Sequence, residues 1–136
     1  MNDCLFCKIV SGEVPCHKVY EDENFLAFLD INPVNQGHTL VIPKKHSKNI
    51  LEMDDSLSKE IILVVKKLAK KIKTSLKSDG INILINNEAG AGQIIFHTHI
   101  HIIPRFLDDN LKHWPSHEYK KEEAQVIAKK IKPSVN

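Results

Sequence analysis

The sequence predicts an α+β fold: an antiparallel sheet with a long central helix and a C-terminal helix beside it. Three observations carry this. Residues 93–105 alternate, with His97, His99 and His101 two apart and Phe96, Thr98, Ile100 and Ile102 set between and around them. Residues 55–77 repeat Leu57, Ile61, Val64, Val65, Leu68, Ile72 and Leu76 at three- and four-residue spacing, which makes one helical stripe. The other strand-like segments, 19–21 and 25–30, are separated only by the turn formers Asp22, Glu23 and Asn24, so they form a hairpin.

The chain has 136 residues, enough for one domain spanning 1–136 with a real core. The core is expected over residues 4–105, and residues 106–136 form a C-terminal segment. Hydrophobic residues make up 42% and charged residues 26%, an ordinary globular balance. A net charge of +2 gives no electrostatic case for nucleic acid or membrane as partner. No apolar run approaches a transmembrane span. The N-terminal residues have neither a basic nor an apolar leader region, so a cytoplasmic location is the expectation.

Taken in order, Cys4 and Cys7 stand three apart and share one face of a short helix or turn. Three readings stay open for them: small buried hydrophobes, a redox pair, or half of a metal site. Cys16 has no partner at metal spacing and reads as an ordinary thiol. Asp30 opens a polar loop of the kind that often carries binding residues. Residues 38–43 form a short apolar strand, hence a central one. Asp54 or Asp55 caps the long helix. Its lysines form a solvated face, since no aromatics interleave with them as a nucleic-acid surface would need. Gly80 is expected to stop the helix and residues 81–86 to form the next strand. Gly90 and Gly92 then lead through a turn into the histidine row, a place where backbone amides can meet an anion. Pro104 ends that row. Beyond it, His113 and Trp114 lie in an irregular stretch, and an amphipathic helix runs from about residue 116 to 132.

A strand carrying the whole row turns its three imidazoles to one side. Histidine is both the commonest metal ligand and the side chain best matched to proton transfer near neutral pH. The row alone is compatible with a metal site or with nucleophilic and acid–base chemistry.

The residues His97-Thr98-His99-Ile100-His101-Ile102-Ile103 resemble the signature of the histidine triad (HIT) family. The stretch from Phe28 through Asp30, Ile31, Gly37 and His38 to His46 resembles the family's other signature, and Gly92-Gln93 matches as well. The resemblance covers about residues 4–105 and is nearest to the nucleoside phosphoramidate hydrolases. It implies a HIT-like fold, usually assembled as a homodimer. It implies that His99 is a nucleophile attacking the α-phosphorus of an adenosine 5'-phosphoramidate-like purine nucleotide. His101 and backbone amides would stabilise the phosphoryl oxygens, with His38 supporting the triad by hydrogen bonding. Asp30 would hold the ribose hydroxyls, Ile31 would line the base pocket, and Asn86 and Gln93 would lie near the phosphate and leaving group. By the same resemblance, Cys4, Cys7, His46 and His97 match the ligands of a structural zinc in some relatives. No cofactor is needed for the chemistry itself. The rival readings are a dinucleoside polyphosphate hydrolase, a nucleotide-binding regulatory module with little activity, and a purely structural zinc protein.

Overall fold

The structure, a computed structural model, describes residues 3–132. The extreme ends of the expected 1–136 domain, residues 1–2 and 133–136, lie outside the described residues. In chain order the elements are α1 (Leu5–Val10), β1 (Lys18–Glu21), β2 (Phe25–Leu29), β3 (Thr39–Pro43), α2 (Asp55–Leu76), β4 (Gly80–Leu84), β5 (Ile100–Arg105) and α3 (Glu123–Ile131). A short 3₁₀ turn at Ala89–Ala91 sits between β4 and β5.

The strands form one antiparallel sheet in the order β1-β2-β3-β5-β4, with apolar β3 in the middle as expected. Period-two alternation divides its side chains between two layers. Phe25, Ala27, Val41, Ile100 and Ile102 face α2 and meet Ile61, Val64, Val65 and Leu68 of its stripe. Leu26, Phe28, Leu40 and Ile42 face the other way and meet Phe6 of α1. In β5, His101 lies between Ile100 and Ile102 and pairs with Leu40, so it belongs to the α1 side.

Three expectations about the histidine row need correction. The histidine row is strand only from Ile100. Before that, Thr98 N–H donates to the Ser47 carbonyl at 2.7 Å, so a loop rather than a neighbouring strand takes its hydrogen bond. Phe96, expected on the core face, is 43% exposed. Pro104 does not end β5; it pairs with Ile81, at a level where β3 has already left the ladder beyond Ile102. The strand is an edge on that side, where a missing N–H is tolerated.

The helix ends also differ. Lys77, not Gly80, takes the left-handed cap conformation (φ 53°, ψ 40°) after α2, while Gly80 is already the first residue of β4. The early stop follows from what comes next. Ser78 N–H closes back on the Lys73 carbonyl at 3.1 Å, and Asp79 N–H is committed to the Arg105 carbonyl at 2.9 Å. Asp54 does occupy the N-cap of α2, but its carboxylate binds Lys45 at 2.6 Å instead of the helix amides. The C-terminal helix starts at Glu123, later than expected, and buries none of its residues. A short helix with no packed face gains little from tertiary contact, so its first turns do not form.

Candidate functional site

The β3–β5 register brings His38, just ahead of β3, to His101 in β5. Their Nε2 and Nδ1 atoms are 2.8 Å apart. The His99 ring lies 5.0 Å from that of His101 and 5.1 Å edge-on from Phe6. The His99 and His101 imidazoles form part of one wall of a cavity of about 510 Å³, lined also by Asp30, Ile31, Asn86 and Phe6.

Hydrogen bonding assigns the tautomers one after another. Val34 N–H donates to His38 Nδ1 at 3.1 Å, so in the neutral ring the His38 proton sits on Nε2. That proton is donated to His101 Nδ1, which places the His101 proton on Nε2. His99 Nδ1–H donates to the His97 carbonyl at 2.7 Å, leaving Nε2 with its lone pair. His97 Nε2–H donates to the Pro43 carbonyl at 2.8 Å, leaving Nδ1 as the free acceptor.

The rings are neutral at pH 7 because burial disfavours the imidazolium. Burial lowers the pKa of His99 and of His38, against the opposing pull of the Asp30 carboxylate. His101 falls to about 4, first by burial and then by its histidine neighbours. His97 also falls to about 4, again chiefly by burial. Asp30 Oδ2 lies 3.7 Å from His38 Nε2, while its Oδ1 accepts from Asn32 N–H at 2.8 Å.

Of the four residues expected to hold the nucleotide, Asp30, Ile31 and Asn86 line the cavity. Gln93 does not. It is 4% exposed, and its side chain is committed to backbone: Nε2 donates to the carbonyls of Lys48 (2.6 Å) and Ile95 (3.1 Å), and Oε1 accepts from Glu88 N–H (2.7 Å). It fastens the loop ahead of the triad instead of reaching toward a leaving group. Residues without polar chemistry to mark them complete the wall, among them Phe6, Ile9, Val14, Ile94 and Ile95. Cys16, read as an ordinary thiol, also lies in that wall. His113 and Trp114 do not line it, and Trp114 is 88% exposed.

Behind the triad, Cys4, Cys7, His46 and His97 bring two sulfurs and two nitrogens within 4.8 Å of one another. Cys4 Sγ and Cys7 Sγ lie 3.4 and 3.6 Å from His97 Nδ1. His46 Nδ1 lies 3.4 Å from Cys7 Sγ and 3.2 Å from His97 Nδ1. A tetrahedral ion with bonds of about 2.0–2.3 Å holds its ligand atoms roughly 3.3–3.8 Å apart, so these residues fit a metal ion. The His97 tautomer agrees, since the bond to Pro43 orients the ring and leaves Nδ1 for the ion. Asp30, His38 and His101 also cluster, but at 2.8 Å His38 Nε2 and His101 Nδ1 sit closer than the ligands of a tetrahedral ion and share a proton. That group is a hydrogen-bond chain.

The HIT-domain family model matches residues 11–108. The chain belongs to the HIT family. The family includes nucleotide hydrolases. The chain is 39% identical over 134 residues to adenosine 5'-monophosphoramidase of Schizosaccharomyces pombe, covering 97% of this chain and 98% of that one. It is 45% identical over 125 residues to an adenylylsulfatase of Arabidopsis thaliana, covering 92% of this chain and 62% of that protein. Among solved structures, a HIT family protein from Bacillus anthracis matches with a TM-score of 0.89 at 46% identity, over 99% of both chains. A zinc-bound histidine triad family protein from Mycobacterium smegmatis matches with a TM-score of 0.78 at 37% identity, over 94% of this chain and 98% of that one. Among the described residues, no helix is long and apolar enough to cross a membrane.

The depressed imidazole pKa values set a pH dependence of stability. Between an unfolded value near 6.5 and a folded value near 4, the unfolded chain binds more protons at His101 than the folded one. Stability from this source is present above about pH 6.5 and is lost as pH falls toward 4. Urea unfolding of the wild type across that window should show a falling midpoint, and His101→Gln should flatten the fall. An equally steep fall in the variant would rule out this source.

Proposed function

We propose that the protein hydrolyses nucleoside 5'-phosphoramidates, with adenosine as the nucleoside, through a nucleotidyl-His99 intermediate. The observation that carries the proposal is the His99 tautomer. Its Nδ1–H is tied to the His97 carbonyl, so a neutral Nε2 lone pair is available in the wall of the cavity.

In this reading the cavity's apolar side takes the base against Ile31 and Phe6, and Asp30 accepts from the ribose hydroxyls. His99 Nε2 attacks the α-phosphorus. The P–N bond breaks, and its electron pair leaves on the amine nitrogen, which takes a proton from water. His101 Nε2–H faces the charge growing on the phosphoryl oxygens. Water then attacks the phosphorus, the N–P bond returns its pair to His99, and the nucleoside monophosphate departs. No strong base is required, because the nucleophile is already neutral. Asn86, which lines the same cavity, would meet the phosphate. Gln93 acts indirectly, through the loop it fastens.

Zinc is the ion we propose for Cys4, Cys7, His46 and His97, since two thiolates and two imidazoles favour it over harder cations. Its part is structural: it closes its own coordination and ties α1 to the triad segment. The reducing cytoplasm would keep those thiols available. A homodimer completes the reading. Ile62 and Leu63 on α2 and Ile83 on edge strand β4 are 52%, 66% and 47% exposed, side by side on a groove that a second copy would cover.

Three measurements test these readings. Wild type should release ammonia and AMP from adenosine 5'-phosphoramidate with chelator present, and His99→Ala should lose at least about a thousandfold in kcat. Wild-type inactivity on that substrate with turnover of a dinucleoside polyphosphate would move the reading to the second substrate. Binding of nucleotide with no turnover of either would leave only a binding module. Elemental analysis should find zinc at one ion per chain and its loss in the Cys4→Ser, Cys7→Ser double variant; retained zinc would reject this ligand set. Sedimentation should give a dimer that Leu63→Asp converts to monomer, whereas a monomeric wild type would reject the assembly.

A further inference from the structure

After β5 the chain carries a carboxylate network that the proposed chemistry does not use. The Asp109 side chain is 8% exposed. Its Oδ2 accepts from Arg105 Nε at 2.8 Å, Phe106 N–H at 3.0 Å and Asn35 Nδ2 at 3.1 Å. Its Oδ1 accepts from Leu111 N–H at 3.0 Å and Arg105 Nη2 at 3.1 Å. The Arg105 guanidinium and these amides hold the carboxyl far below the ordinary carboxylate range, so it stays charged. Arg105 Nη1 also donates to Asn82 Oδ1 at 2.7 Å, which joins the network to β4.

Asn35 links this network to the turn that holds His38. Its amide spends both hydrogens on the far side, on Asp109 and on the Pro104 carbonyl at 2.9 Å. Its own carbonyl accepts His38 N–H at 3.1 Å. The same turn presents Val34 N–H to His38 Nδ1 at 3.1 Å, and that contact determines which nitrogen of His38 carries the proton.

We propose that Asp109, acting through Asn35, is a positioning residue for the triad: it holds the turn from Val34 to His38 so that His38 and His101 both keep their protons on Nε2. Removing the anchor frees the Val34 N–H to drift from His38 Nδ1. The His38 proton can then occupy Nδ1, and Nε2 becomes an acceptor. His101 must answer by carrying its proton on Nδ1. It would then turn a lone pair, not a donor, toward the phosphoryl oxygens. The consequence for rate rests on the hydrolase reading, but the consequence for the tautomers does not.

The alternative is that Asp109 merely anchors the segment after β5. The two ideas separate in long-range ¹H–¹⁵N spectra of the imidazoles at neutral pH, recorded with kinetics for wild type, Asn35→Ala, Asp109→Asn and, as a control, Asp108→Asn at an exposed neighbour. In wild type, His38 and His101 should each show an unprotonated Nδ1 and a protonated Nε2. In Asn35→Ala and Asp109→Asn the two nitrogens should move toward averaged shifts. kcat should fall roughly ten- to a hundredfold with KM little changed, as for a misplaced catalytic donor. The control should match wild type in both. Unchanged imidazole signals in folded Asn35→Ala protein overturn the proposal, whatever the rate does. Altered tautomers with an unaltered kcat in an active enzyme overturn it too. Should Asp109→Asn fail to fold, Asn35→Ala decides. A wild type inactive on phosphoramidate would sink the hydrolase reading alone, and the imidazole spectra would still judge this one.

Discussion

His97 and His99 each have one nitrogen committed to a carbonyl, and the chemistry open to the other follows from that commitment. His99 gives its Nδ1 proton to the His97 carbonyl, and His97 gives its Nε2 proton to the Pro43 carbonyl. One residue, His97, thus orients the next histidine through its backbone while turning its own Nδ1 toward Cys4, Cys7 and His46. Burial alone would make these rings neutral but would leave the tautomer open. The carbonyls close that question, and they are in place because β3 ends at Pro43 just where residues 97–99 cross behind it.

The N-terminal segment has two ties to that arrangement. Helix α1 is six residues long, too short to hold itself in water. Phe6 anchors it from inside, with ring contacts at 5.5 Å to Phe28, 5.9 Å to His97 and 5.1 Å to His99. The thiols of Cys4 and Cys7 anchor it at its start. Because Phe6 and Ile9 also line the cavity, whatever fixes the thiols also fixes the cavity's apolar side. The metal-fitting cluster and the cavity share a helix, not merely a neighbourhood.

The sequence made the sheet, the central place of β3 and the α2 stripe legible, because each rests on a period that local residues display. It also made the grouping of imidazoles legible, although for a partly wrong reason. Strand alternation accounts for His101 between Ile100 and Ile102, but His97 and His99 are held by the loop at residues 46–48 and by carbonyls. Of these partners, Pro43 and Ser47 lie about fifty residues away in the chain, and no periodicity announces them. Lys77 in the left-handed region was hidden for a similar reason: Gly80 is the better cap by intrinsic preference, and tertiary bonds at Ser78 and Asp79 override it. Gln93 shows the limit of reading a role from a motif. Its position matches, but its amide is claimed by three backbone groups that only the folded loop brings near.

That claim has an energetic counterpart next door. Glu88 has φ 72° and ψ 160°, a conformation suited to glycine, at a cost on the order of 1–3 kcal/mol. What holds it there is mostly Gln93. The Glu88 N–H donates to Gln93 Oε1 at 2.7 Å, and the Glu88 carbonyl accepts from the N–H groups of Gln93 and Ala91, each at 3.1 Å. Hydrogen bonds of this kind contribute about 1 kcal/mol each, so together they offset the strain. The strained corner lets the chain leave β4, pass Asn86 along the cavity and still return to deliver Gly92 and Ile94 to the same wall. The buried glutamine is therefore part of the site's geometry, though it lies outside the cavity itself.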